Sequence, residues 1–169
     1  MKYQDVRQSI ETGDVFLVEG RSIISKIIRA FTGESYSHVG LLIWIGDTLW
    51  VAEYKEFIGF RFVPASLWIE DVHTAGARAW LGRAPAVVTM DPPTVYKTAL
   101  KWRGGRYGYL SLGKIWISQL FNLNLTTRRL VCSTFVQKCW ESVGIKFFKT
   151  ADPGDIATTS GSLTLIHKD

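Results

Sequence analysis

The chain has 169 residues, 47% hydrophobic and 21% charged, a composition that suits one globular domain over 1–169 and excludes a disordered or low-complexity protein. The net charge of +5 favours anionic partners, but the basic residues are scattered, with Arg128-Arg129 the densest pair. No zinc-finger spacing, basic stripe with interleaved aromatics or RNA-binding signature accompanies that charge, so no nucleic-acid partner is expected.

The N-terminal run Met1 to Arg7 lacks the apolar stretch of a secretory signal. Gly13-Asp14-Val15-Phe16-Leu17-Val18 reads as a turn feeding a short apolar strand. Over 22–31, apolar residues at 23, 24, 27, 28 and 31 with Lys26 and Arg29 between them predict a basic amphipathic helix, capped by Ser22 and closed by Gly33. Such a helix packs on its own domain or touches a membrane surface. Val39 to Ile45 and Leu49 to Tyr54 flank Gly46-Asp47, a hairpin turn. A third strand over 58–63 ends at Pro64, a short helical turn covers 65–69, and a further strand covers 77–81. Pro92-Pro93 opens a helix through Trp102, an apolar segment spans 109–121, and a helix over 130–143 ends at Gly144. Pro153-Gly154-Asp155-Ile156 reads as a turn, and 162–167 alternates like a final strand. The order predicts an α+β domain with a mainly antiparallel sheet. The stretch 109–125 is interrupted by Lys114, Gln119, Asn122 and Asn124 and is short for a bilayer span. The expectation is a soluble, cytoplasmic protein, released by lysis or another route if its substrate lies outside.

Two cysteines and three dispersed histidines fall short of a structural zinc pattern, so neither a metal nor a cofactor is expected. Cys132 and Cys139, on one helix, stand roughly 10 Å apart, too far for a disulfide. On that helix positions 132, 135, 136, 139, 140 and 143 form an apolar stripe, with Cys132 in the first turn. There the macrodipole and free backbone N–H groups favour a thiolate and can hold an oxyanion, and Arg128-Arg129 act in the same direction. Cys139, two turns deeper, reads as packing. Taken alone, Cys132 is equally well a small packing residue; the hairpin decides between the two.

Closing the hairpin at Gly46-Asp47 pairs residues whose numbers sum to 93, which sets Gly40 opposite Glu53 and His38 opposite Lys55. His38 and Glu53 then emerge on one face as diagonal neighbours, roughly 7 Å apart at Cβ. Gly40 between them leaves space. A carboxylate so placed orients an imidazole and stabilises its charged form.

Gly13-Asp14, Ser37-His38-Val39-Gly40, Val51-Ala52-Glu53 and Val131-Cys132-Ser133, in that order, resemble the circularly permuted papain-like enzymes. These include permuted relatives of the NlpC-type cell-wall peptidases and of lecithin:retinol acyltransferase. Gly105-Arg106-Tyr107-Gly108-Tyr109 and Pro153-Gly154-Asp155 extend the likeness over about 11–167. The resemblance implies an antiparallel sheet or partial barrel packed against helices, with the nucleophile at a helix N-terminus. It implies Cys132 as nucleophile, His38 as proton shuttle, Glu53 as the residue orienting His38, and Tyr107 as an oxyanion or substrate contact. The activity expected is an amidase or peptidase working through a thioester on a peptide, isopeptide or N-acyl amino acid bond, peptidoglycan stems included. The alternatives are a lipid-directed acyltransferase or thioesterase using the same nucleophile, and a non-catalytic binding module on the same fold. Oligomeric state has no signature in the pattern.

Overall fold

Short apolar runs with period-two alternation, punctuated by Gly46 and Pro64, build strands that bury both faces. The computed structural model describes residues 1–20, 35–55, 58–102 and 131–168. Its elements are α1 (Tyr3–Arg7), β1 (Val15–Glu19), β2 (His38–Ile45), β3 (Thr48–Lys55), β4 (Gly59–Pro64), α2 (Ala65–Thr74), β5 (Arg78–Gly82), α3 (Pro92–Leu100), α4 (Val131–Glu141), α5 (Pro153–Thr159) and β6 (Leu163–Ile166). The strands form an open sheet in the order β4-β3-β2-β1-β5-β6, with every neighbouring pair antiparallel. The expected basic helix over 22–31, the apolar segment over 109–121, Tyr107 and Arg128-Arg129 lie outside the described residues.

Alternation divides the strand residues between two cores. Val15, Leu17, Val39, Leu41, Ile43 and Ala52 point to the face covered by α3, α4 and α5. Phe16, Leu42, Leu49, Val51, Ala79 and Leu81 point to the face covered by α1 and α2. A one-residue slip of β2 would exchange these two sets, so the register is strongly specified.

Three elements depart from the sequence expectation. The short turn over 65–69 is the ten-residue helix α2. It continues past Glu70-Asp71 because Val72 follows Trp68 by four residues and joins the same apolar cluster. It stops at Gly76, whose φ of +68° allows the bonds Gly76 N–H to His73 O and Ala77 N–H to Val72 O that satisfy the last carbonyls. The turn at Pro153 is the start of α5, where Asp152 and Asp155 cap each other's backbone N–H groups. The five-residue α1, unexpected from the pattern, forms because Tyr3 and Val6 bury one turn against the sheet.

Candidate active site

Helix α4 is fixed to the sheet and to the following loop by polar groups as well as by its apolar stripe. Phe135, Val136, Cys139 and Trp140 are fully buried. The indole N–H of Trp140 donates to the Gly13 carbonyl at 2.8 Å. Gly13 itself has φ +105°, and the neighbouring Asp14 accepts from Arg83 Nη1, Ala84 N and Glu11 N. The Gly13-Asp14 motif is therefore a buried bracket that anchors the helix. Ser133 Oγ donates to the Ala151 carbonyl at 2.7 Å, and Gln137 accepts from Ala151 N and donates to the Lys149 carbonyl. These bonds hold the first turn of α4, where Cys132 sits partly exposed. Gly144, φ +102°, closes the helix as its sequence position suggested.

The hairpin has the expected register, from Ile45↔Thr48 to Leu41↔Ala52, and Ser37 bonds to Val18 just before β2 begins. Continuing that ladder places Gly40 beside Glu53: a Cβ on Gly40 would stand 3.6 Å from Glu53 Cβ and only 2.4 Å from Val51 Cγ1. Across that hydrogen atom of glycine, His38 Nε2 reaches Glu53 Oε2 at 2.7 Å. His38 alternates with Gly40 and Leu42, so it belongs to the α2 face of the sheet, whereas Cys132 comes from α4 on the other. They meet at the first residue of β2, where His38 takes a side-chain hydrogen bond with Cys132. With Nε2 on Glu53, Nδ1 is the ring nitrogen left for the thiol.

Glu53 is 1% exposed and its two oxygens are divided between partners. Oε1 accepts from Arg61 Nε at 2.7 Å and lies 2.5 Å from Arg61 Nη2 in an ion pair, and Oε2 accepts from His38 and from Trp68 Nε1 at 2.8 Å. Three hydrogen bonds and the Arg61 ion pair thus engage both oxygens of the carboxylate. Burial alone would raise the Glu53 carboxyl; the bonds from His38, Trp68 and Arg61 and the charge of His38 overcome it and hold the group at about 2. Burial likewise pulls the His38 imidazole down. It is outweighed by the charge and hydrogen bond of Cys132 and then by those of Glu53, which hold the ring up at about 10. The imidazolium is thus the favoured form of the ring beside the ionised Glu53.

Cys132, His38 and Glu53 therefore come together, while Cys139 is buried and Tyr107 lies outside the described residues. Arg61 and Trp68 were not among the expected residues. Arg61 was within reach of register reasoning, because β3 and β4 pair Glu53 with Arg61 directly. Trp68 was not, because the position of α2 over the sheet decides where its indole points.

A family model described as "Permuted papain-like amidase enzyme, YaeF/YiiX, C92 family" matches residues 9–156. Among solved structures, the metalloprotein yiiX from Escherichia coli O157:H7 is similar at 19% identity with a TM-score of 0.60, covering 94% of this chain and 97% of that one. No curated protein matches the sequence. With the family model spanning most of its length, the chain belongs to the C92 family of permuted papain-like amidases, cysteine hydrolases by class.

Proposed function

We propose that Cys132, His38 and Glu53 form the catalytic triad of this chain, acting on an amide or isopeptide bond through a thioester. The observation that carries the reading is His38 between the other two, 2.7 Å from Glu53 and hydrogen-bonded to Cys132. Cys132 Sγ, as thiolate, attacks the carbonyl carbon, and the C=O electron pair moves onto oxygen. Backbone N–H groups in the first turn of α4, which lack partners within a helix, face that charge. The C–N bond then breaks as His38 gives its Nδ1 proton to the leaving nitrogen, and the acyl group remains on sulfur. Water next loses a proton to His38 while its oxygen attacks the thioester; the C–S bond breaks, the acid leaves, and the thiolate–imidazolium pair is restored. Glu53 keeps the ring oriented through both proton transfers.

Peptide stems of peptidoglycan and N-acylated amino acids are the substrates this chemistry suits. A lipid acyl substrate is the second reading, supported by one feature: Phe148 stands fully exposed between Lys146 and Lys149, an apolar tip with basic flanks. Salt-sensitive binding to anionic vesicles separates it from the first. The solved relative is described as a metalloprotein. Among the described residues here, no group of three or more His, Cys, Asp or Glu side chains is placed to hold a metal ion, and the acceptor sites of Glu53 are taken by Arg61, Trp68 and His38.

The test is the pH dependence of Cys132 alkylation in the parent and in His38→Ala, with Cys139 as internal control by mass spectrometry. Labelling of Cys132 should be rapid well below pH 8 and fall by about 100-fold or more in His38→Ala at neutral pH. Slow labelling that ignores His38 would overturn the triad.

A further inference from the structure

We propose that Arg61 is a positioning residue of this site: it acts through Glu53 to keep one carboxylate oxygen turned to His38. The proposal rests on the triad reading and extends it by one residue. Arg61 places both Nε and Nη2 on Oε1 of Glu53, which leaves Oε2 for His38 Nε2 and Trp68 Nε1. Were the carboxylate to rotate by half a turn, the oxygens would simply exchange. A smaller rotation breaks bonds on both sides at once, so the guanidinium fixes the plane in which the imidazole bonds.

Charge gives Arg61 a second effect. The groups facing Glu53 are His38 from β2, Arg61 from β4 and Trp68 from α2, with Lys55 two residues along its own strand. Arg61 neutralises the buried carboxylate whether or not His38 holds a proton. Without it, Glu53 would depend on the imidazolium alone and would be left uncompensated whenever His38 gives its proton to a leaving group. Arg61 thus allows Glu53 to stay ionised through a cycle in which His38 alternates between charged and neutral. The pairing is built by the sheet: Glu53 and Arg61 are direct cross-strand partners on the face covered by α2.

The experiment measures Cys132 alkylation by iodoacetamide against pH in the parent, Arg61→Met, Arg61→Lys, Glu53→Gln and the double variant Glu53→Gln/Arg61→Met, each checked for folding by circular dichroism. In Arg61→Met, neutral-pH labelling should fall about tenfold, and the acidic limb of the profile should move up by about one pH unit or more, since Glu53 protonates more easily without the guanidinium. Arg61→Lys keeps the charge but not the two-nitrogen hold, so its acidic limb should stay near the parent's while its neutral-pH rate remains several-fold low. In the Glu53→Gln background, adding Arg61→Met should change the labelling rate little, because the route through Glu53 is already cut. If Arg61→Met does not fold, Arg61→Lys decides: a rate equal to the parent's overturns the proposal. So does an Arg61→Met profile superimposable on the parent's, or an equal loss in both backgrounds. Labelling that is His38-dependent but indifferent to Arg61 sinks this proposal alone, whereas labelling indifferent to His38 sinks the triad itself.

Discussion

Replacing Glu53 by Gln keeps the shape of the side chain and removes half of its accepting capacity. Three N–H donors converge on the carboxylate, Arg61 Nε on Oε1 and His38 and Trp68 on Oε2, and Arg61 Nη2 lies beside Oε1 in an ion pair. An amide has one oxygen, and its NH2 group must face either the guanidinium or the imidazole–indole pair. Each stranded buried donor costs about 1–3 kcal/mol, and breaking a buried ion pair costs about 3–5 kcal/mol. Arg61 is 25% exposed and His38 22%, so water screens part of the loss. The net cost should be about 3 kcal/mol, a fall in Tm of roughly 6–12 °C for a chain of this size. The pH dependence is a second signature. The Glu53 carboxyl is held at about 2 in the fold, below its ordinary 4.5. Its contribution is fully present above the ordinary value and is lost as pH falls through the folded one. The Tm gap between parent and Glu53→Gln should therefore be constant above about pH 5 and shrink toward pH 2. Thermal unfolding followed by circular dichroism across pH 2–7 measures both. A variant that melts within about 2 °C of the parent at neutral pH would refute the accounting of donors and charge around Glu53.

Three other outcomes are expected. Cys132→Ser should abolish turnover of any amide substrate while leaving Tm within about 2 °C, because the change is small and local; surviving turnover would remove covalent catalysis by Cys132. Gly40→Ala should cost about 1–3 kcal/mol in urea unfolding, because the added Cβ would stand 2.4 Å from Val51 Cγ1 within a packed hairpin; a neutral effect would mean the hairpin opens freely beside Glu53. Trp68→Phe keeps the stacking on Phe16, whose ring centroid is 5.2 Å away, and deletes the N–H to Glu53. It should cost about 1–3 kcal/mol and slow Cys132 labelling several-fold, and an unchanged labelling rate would leave Trp68 with packing alone.

What the sequence disclosed of this site follows from which constraints are local. The register linking His38 to Glu53 was legible because a two-residue turn at Gly46-Asp47 fixes every pairing behind it, and the observed pairs keep that register. The end of α4 was legible because Gly144 supplies the left-handed φ that the closing bonds need. The length of α2 was not, since Glu70 and Asp71 break the apolar pattern, and only the docking of Val72 into the Phe16 cluster shows why the helix continues. Polar brackets were least legible. Trp140 to Gly13 spans 127 positions and Arg83 to Asp14 spans 69, separations over which no local pattern signals a contact. For the same reason the Gly13-Asp14 motif suggested kinship before it suggested a role.

Cys139 offers an internal control that also separates chemistry from loosening. Both cysteines lie on the same side of α4, two turns apart, yet Cys132 is partly exposed at His38 and Cys139 is fully buried. Burial pushes the Cys139 thiol up, and no reagent reaches it until the core opens. Its labelling in the native protein therefore reports the population of open states, which grows tenfold for each 1.4 kcal/mol of stability lost when reclosing is fast. In Glu53→Gln, a loss of about 3 kcal/mol should accelerate Cys139 labelling roughly 100-fold if it opens only by global unfolding. Cys132 should move the other way under the proposed triad, in which its reactivity depends on an oriented imidazole and not on opening. One sample read by mass spectrometry thus gives two rates of opposite sign. If both thiols sped up together, Glu53 would be supporting the fold without orienting His38; if Cys132 slowed while Cys139 stood still, the carboxylate would act on the imidazole with little effect on stability.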